Sequence, residues 1–135
     1  MESQENIIDI LYIEDDIADV ENVKRMFKKV KEPWAIEVAL NGETALNKLY
    51  GLEGEKKVHP KVILLDINLP KVNGIDLLKI IRKDPALAFI EVFLLTSTFT
   101  SEDKFAIKDL NVRGQIIKPL EYADALNIYW ATQHM

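Results

Sequence analysis

The apolar residues of this chain recur in two alternating patterns. A short β-branched run, Ile7 to Ile13, stops at the acidic cluster Glu14-Asp15-Asp16 and predicts a strand. Beyond it Val20, Val23, Phe27 and Val30 return at spacings of three and four until Pro33, which predicts an amphipathic helix. Its other face carries Lys24, Arg25, Lys28 and Lys29. The alternation then repeats. Ile36 to Leu40 reads as a strand, Glu43 to Tyr50 as a helix, Gly51 to Pro60 as a polar loop, and Val62 to Leu65 as a fully apolar strand ending at Asp66. The loop from Asn68 to Gly74 leads into a helix with Ile75, Leu78 and Ile81 on one side, which stops near Asp84-Pro85. Ile90 to Leu95 predicts a fourth strand, and Ser101 to Leu110 a helix capped by Ser101. Val112 to Ile117 predicts a fifth strand, and a last helix follows Lys118-Pro119 through Thr132.

Strands alternating with helices of this length call for an α/β fold with a parallel sheet covered on both faces. Right-handed crossovers leave few topologies, and the simplest is a flavodoxin-like, doubly wound five-stranded sheet in the order 2-1-3-4-5. At 135 residues, with 48% hydrophobic residues, the chain has the size of one globular domain, 1–135, with no room for an output domain. Its 17 Lys and Arg against 22 Asp and Glu give a net charge of -5, which argues against a nucleic-acid partner. The absence of cysteine excludes disulfide scaffolds, thiolate zinc sites and cysteine nucleophiles. Met1 to Asn6 is polar and Asp9 interrupts the first apolar run, so no signal-peptide core or membrane span is expected. The expected location is cytoplasmic.

In open sheets of this kind ligands gather beyond the carboxyl ends of the strands, at the switch point between strands one and three. There the chain delivers Glu14, Asp15 and Asp16 after strand one, Asp66 after strand three, Thr96 after strand four and Lys118 after strand five. Any one of these residues is ordinary at a strand end as a cap or a solvated loop residue. Their joint convergence calls for another explanation. Clustered carboxylates do not all stay ionised at close range without a cation. Glu14, Asp15 and Asp66 exceed Lys118 by two charges, which one divalent ion cancels. Oxygen ligands without cysteine or clustered histidine favour magnesium over zinc, His59 and His134 being placed in a loop and a tail. Such an ion beside a positioned carboxylate points to phosphoryl chemistry, with Asp66 as nucleophile and Lys118 holding phosphoryl oxygens.

These residues resemble the receiver domain of two-component response regulators over nearly the whole chain, from Ile8 to Trp130. The matching pattern is the acidic pair Glu14-Asp15, Asp66 with Pro70 four and Gly74 eight residues later, Thr96, and Lys118-Pro119. The resemblance implies that Asp66 accepts a phosphoryl group from a sensor histidine kinase or a histidine phosphotransfer protein. It implies a magnesium ion on Asp15, Asp66 and the backbone carbonyl of Asn68, with Glu14 acting mainly through a metal-bound water. Thr96 would hydrogen-bond the phosphoryl group and Lys118 would pair with it, across a Lys118-Pro119 peptide that is cis. Asp16 falls outside the pair and is expected to cap the first helix. The Ile-Glu-Asp-Asp-Ile-Ala-Asp and Asp-Ile-Asn-Leu-Pro runs look like stand-alone receivers, chemotaxis-regulator-like, that partner phytochrome-like kinases.

The pattern departs from the family at one place. Many receivers carry a switching Tyr or Phe three residues before the lysine, and this chain has Gln115. An output switch would then be reported by Gln115 or Phe99, on a face that includes Pro119 and Trp130. A phosphodonor would dock over Ile17, Ala18 and Val20. The basic stripe reads as a solvated helix face. Leu120, Tyr122, Ala123, Leu126, Ile128, Tyr129 and Trp130 cover more than one side of the last helix, which suggests a downstream protein or a homodimer contact, or Trp130 as a wedge closing the core. Two other functions compete. A haloacid dehalogenase-like phosphohydrolase shares the strand-end Asp and the Asp66-x-Asn68 hint, but places its nucleophile before its acidic pair, and Asn68 cannot protonate a leaving group. A receiver fold that binds partners without phosphorylation would not need the full constellation. Thr98 and Lys71 flank the site and are expected to affect hydrolysis.

Overall fold

The computed structural model describes residues 6–30 and 33–133. The chain runs β1 (Ile7–Ile13), α1 (Ile17–Val30), β2 (Ile36–Ala39), α2 (Gly42–Tyr50), β3 (His59–Asp66), α3 (Gly74–Lys83), β4 (Glu91–Thr96), α4 (Ser101–Ala106), β5 (Gly114–Ile117) and α5 (Tyr122–Gln133). All strand pairs are parallel, and the order is β2-β1-β3-β4-β5. This is the doubly wound topology expected from the alternation.

Alternate strand residues feed two cores. Leu11, Ile13, Ile63, Leu65, Val92 and Leu94 face α2 and α3 through Ala45, Leu49, Leu77, Leu78 and Ile81. Ile10, Tyr12, Val62, Leu64, Phe93 and Leu95 face α1 and α5 through Val20, Val23, Phe27, Ala125 and Ile128. Burial on both sides is why the central strands read as continuous apolar runs rather than alternating ones.

Several predicted boundaries shift. β3 begins at His59, not Val62, so the polar loop is shorter: His59 pairs with Ile7 and its N–H donates to the Asn6 carbonyl at 2.9 Å. Pro60 is tolerated near the start of a strand, where a missing N–H costs least. β2 ends at Ala39 rather than Leu40, β4 spans Glu91–Thr96 rather than Ile90 to Leu95, and β5 begins at Gly114 rather than Val112. The cap of α4 is Thr100, not Ser101: Thr100 and Asp103 form a reciprocal capping box, which places Ser101 inside the first turn. That helix ends at Ala106, not Leu110, because tighter turns through Lys108 and Leu110 lead to Asn111 in the left-handed region. Arg82 stabilises this stretch by donating to the carbonyls of Leu110, Asn111, Ala88 and Ile90.

On α5 the second apolar side is partly covered. Tyr129 meets Trp34 edge-on at 5.7 Å, and Trp34 meets Phe27 at 4.9 Å. Trp130 packs on Tyr129 but stays half exposed, so it is not a wedge that closes the core. Val20 is buried in the core and is unavailable for docking, whereas Ile17 and Ala18 are exposed. The basic residues Lys24, Arg25, Lys28 and Lys29 are exposed.

Candidate functional site

The carboxyl ends of β1, β3, β4 and β5 converge, as the topology requires. Asp66 closes β3 and Thr96 closes β4, and both are buried. Glu14 follows β1 and is fully buried, while Asp15 beside it is exposed. Lys118 follows β5, and its backbone N–H donates to the Thr96 carbonyl at 2.8 Å. The Lys118-Pro119 peptide is cis.

The Lys118 ammonium has three protons and meets three carboxylates. It lies 3.0 Å from Glu14 Oε1, 2.7 Å from Asp19 Oδ2 and 3.1 Å from Asp66 Oδ2. Glu14 Oε1 also accepts from the hydroxyl of Tyr12, itself fully buried, at 2.9 Å. The other oxygen of Asp66 is engaged as well: the Asn68 backbone N–H donates to Oδ1 at 2.9 Å. From the same residue the side-chain amide donates to Thr96 Oγ1 at 2.9 Å. Asn68 therefore joins Asp66 to Thr96.

Anions outnumber cations here, and the titration behaviour follows. Burial, then the adjacent Asp66 carboxylate, push Glu14 up to about 7 despite the opposing lysine. Burial disfavours charge on Lys118, but its hydrogen bonds to Asp19 and Glu14 outweigh this and hold it above the usual lysine range. Burial, then the Glu14 charge, keep Tyr12 neutral.

Carboxylate oxygens of Glu14, Asp15 and Asp66 all lie within 4.8 Å of one another. Three hard oxygen donors around a surplus of negative charge fit a divalent cation of the magnesium, manganese or calcium type. Asp16 stands apart from this group: its Oδ1 accepts the Asp19 N–H at 3.1 Å, the helix-capping role expected of it.

Three contributors escape the strand-end reading. Asp19 lies in the first turn of α1, and its carboxylate reaches back to the site at Lys118. Tyr12 lies two residues before Glu14, on the same face of an extended chain. The side chain of Asn68 carries no sequence signal separable from that of its backbone. The remaining singled-out residues lie elsewhere. Phe99 is half-buried against the α2–α3 core, Pro119 and Gln115 are exposed, and Gln115 lines a cavity of about 360 Å³ with Phe93 and Trp130. His59 begins β3, and His134 lies outside the described residues.

Residues 10–129 match the family described as the response regulator receiver domain. The chain belongs to this family. It is similar to a two-component response regulator from Legionella pneumophila, with 51% identity, a TM-score of 0.90, and coverage of 95% of this chain and 99% of that one. It is also 32% identical over 116 residues to the response regulator Rcp1 of Synechocystis, covering 85% of this chain and 79% of that protein. The crystal structure of the Mn(2+)-bound form of Rcp1 aligns with a TM-score of 0.77 at 28% identity, over 93% of this chain and 90% of that one. The bacteriophytochrome response regulator RtBRR aligns with a TM-score of 0.81 at 30% identity, over 93% and 78%. This receiver is thus a signalling domain rather than a classical enzyme, and the phosphohydrolase alternative is set aside. Among the described residues no helix is long and apolar enough to cross a membrane.

Proposed function

We propose that Asp66 accepts a phosphoryl group from a phosphohistidine on a sensor kinase or phosphotransfer protein, in a reaction that depends on magnesium. The observation that carries this is the setting of the Asp66 carboxylate. It is buried at a strand end, with one oxygen on the Lys118 ammonium, the other on the Asn68 N–H, and two further carboxylates beside it. A purely structural aspartate needs no such surroundings.

Asp15, Asp66 and the Asn68 carbonyl are the residues that would hold the ion, with Glu14 acting through water. Bound there, the cation would neutralise the carboxylates and the incoming phosphoryl oxygens. An Asp66 oxygen attacks phosphorus, the N–P bond of the donor breaks, and its electron pair stays on the imidazole nitrogen. Lys118 remains within reach to pair a phosphoryl oxygen, and the Thr96 hydroxyl re-aims to donate to another. The output face is the exposed apolar set Phe105, Ile117, Tyr122 and Trp130, with Gln115 and Pro119 beside it. A downstream protein, or a second copy of the chain, is the partner it suits.

Chelation provides the test of metal dependence. With acetyl phosphate as donor, adding EDTA is expected to reduce phosphoryl incorporation at least about a hundredfold, because the clustered carboxylates otherwise repel the donor. Readdition of magnesium should restore it. Equal incorporation with and without the chelator would contradict the assignment.

A further inference from the structure

We infer that the Asn68 side chain is a positioning residue that holds Thr96 in its resting orientation and releases it when Asp66 is modified. This rests on the proposed phosphorylation of Asp66. The hydroxyl of Thr96 is fully committed. It donates its one proton to the Thr98 carbonyl at 2.7 Å, accepts the Asn68 amide at 2.9 Å, and accepts the Thr98 N–H at 3.3 Å. One donor and two acceptor positions are all that a threonine hydroxyl has. The residue is also buried, so water does not compete for it.

A phosphoryl group presents only acceptors. To donate to one, Thr96 must take its proton from the Thr98 carbonyl, and the Asn68 amide opposes that rotation by fixing the oxygen. The same Asn68 grips Asp66, its backbone N–H lying 2.9 Å from Oδ1. Phosphorylation turns the Asp66 carboxylate into an acyl phosphate whose charge lies on the phosphoryl oxygens. The remaining carboxyl oxygen becomes a neutral carbonyl and a weaker acceptor of that N–H, since hydrogen bonds to ionised groups are the stronger ones. The Asn68 amide can then turn from Thr96 to a phosphoryl oxygen. One residue thereby reports the state of Asp66 to Thr96, with no aromatic partner needed, which suits a chain that has Gln115 at the usual aromatic position.

The prediction concerns the unphosphorylated protein. In Asn68→Ala the backbone N–H and carbonyl remain, Asn68 is exposed, and the fold does not depend on its amide. Loss of one such hydrogen bond shifts a two-state equilibrium by about twofold to tenfold. The Thr96 methyl resonance reads that equilibrium directly. In the wild type it is followed with and without beryllofluoride and magnesium, which define the two end positions. In Asn68→Ala without beryllofluoride it is expected to move part of the way toward the bound position. A methyl resonance coincident with the resting wild type would overturn the role of Asn68 while leaving phosphorylation of Asp66 in place. A wild-type methyl that ignores beryllofluoride would instead overturn the phosphorylation reading, and the coupling with it.

Discussion

Replacing Gly74 with alanine is expected to lower the melting temperature by roughly 10 °C, one of two comparable stability losses that follow from the site. A Cβ at this position would lie 2.4 Å from Ile67 Cα and 2.6 Å from the Asp66 carbonyl oxygen. Both are backbone atoms, so no side chain can rotate away, and the start of α3 must lift off the loop that follows β3. Overpacking commonly costs about 1–3 kcal/mol, and a rigid backbone neighbour places this case at about 3 kcal/mol. The shift also reaches function, since the displaced segment carries the Asn68 N–H that holds Asp66. Calorimetry of the metal-free variant reads the first effect. A melting temperature within a degree or two of the wild type would show that the loop is more yielding than its contacts imply.

The second large effect is expected from Lys118→Met. Removal of the ammonium leaves fully buried Glu14 facing Asp66 and Asp19 without a counter-ion. Breaking a buried ion pair from one side costs about 3 kcal/mol. The sign of the pH dependence is set by Glu14, whose pKa is already raised to about 7 by burial and by Asp66. A carboxyl raised on folding contributes stability below its unfolded value near 4.5, and this is lost as the pH climbs through the folded value. In the variant the folded value rises further, so the deficit relative to wild type should be small at pH 5 and grow above pH 7. Thermal melts across that range test this. Magnesium should return part of the loss at high pH, and a deficit independent of both pH and magnesium would contradict the electrostatic account.

The topology was legible because each strand is flanked by helices of regular period and covered on both sides. The ends of elements were less so. Thr100 and Ser101 are both good caps in sequence, and only the reciprocal bond with Asp103 decides between them. His59 and Pro60 read as loop residues, yet the neighbouring Ile7 and Ile8 supply a partner strand that propensity does not see. The main site residues were legible for a different reason: strand ends in a parallel sheet share one edge, so residues distant in sequence meet there by topology alone. Asp19 and the Asn68 side chain were not, because their parts depend on distances of 2.7 and 2.9 Å rather than on residue type. Acidic residues in a first helical turn are common enough to be read as caps.

The central claim is that Asp66 is the phosphoacceptor. Its most direct test is mass mapping of the protein after incubation with acetyl phosphate and magnesium, with borohydride trapping to preserve the acyl phosphate position. A single modification at Asp66, absent from Asp66→Asn, is the predicted result. An unmodified Asp66 in a protein that binds beryllofluoride would point to turnover faster than trapping, so that titration is run in parallel. Phosphate on another residue, or neither phosphoryl uptake nor beryllofluoride binding by the wild type, would contradict the account.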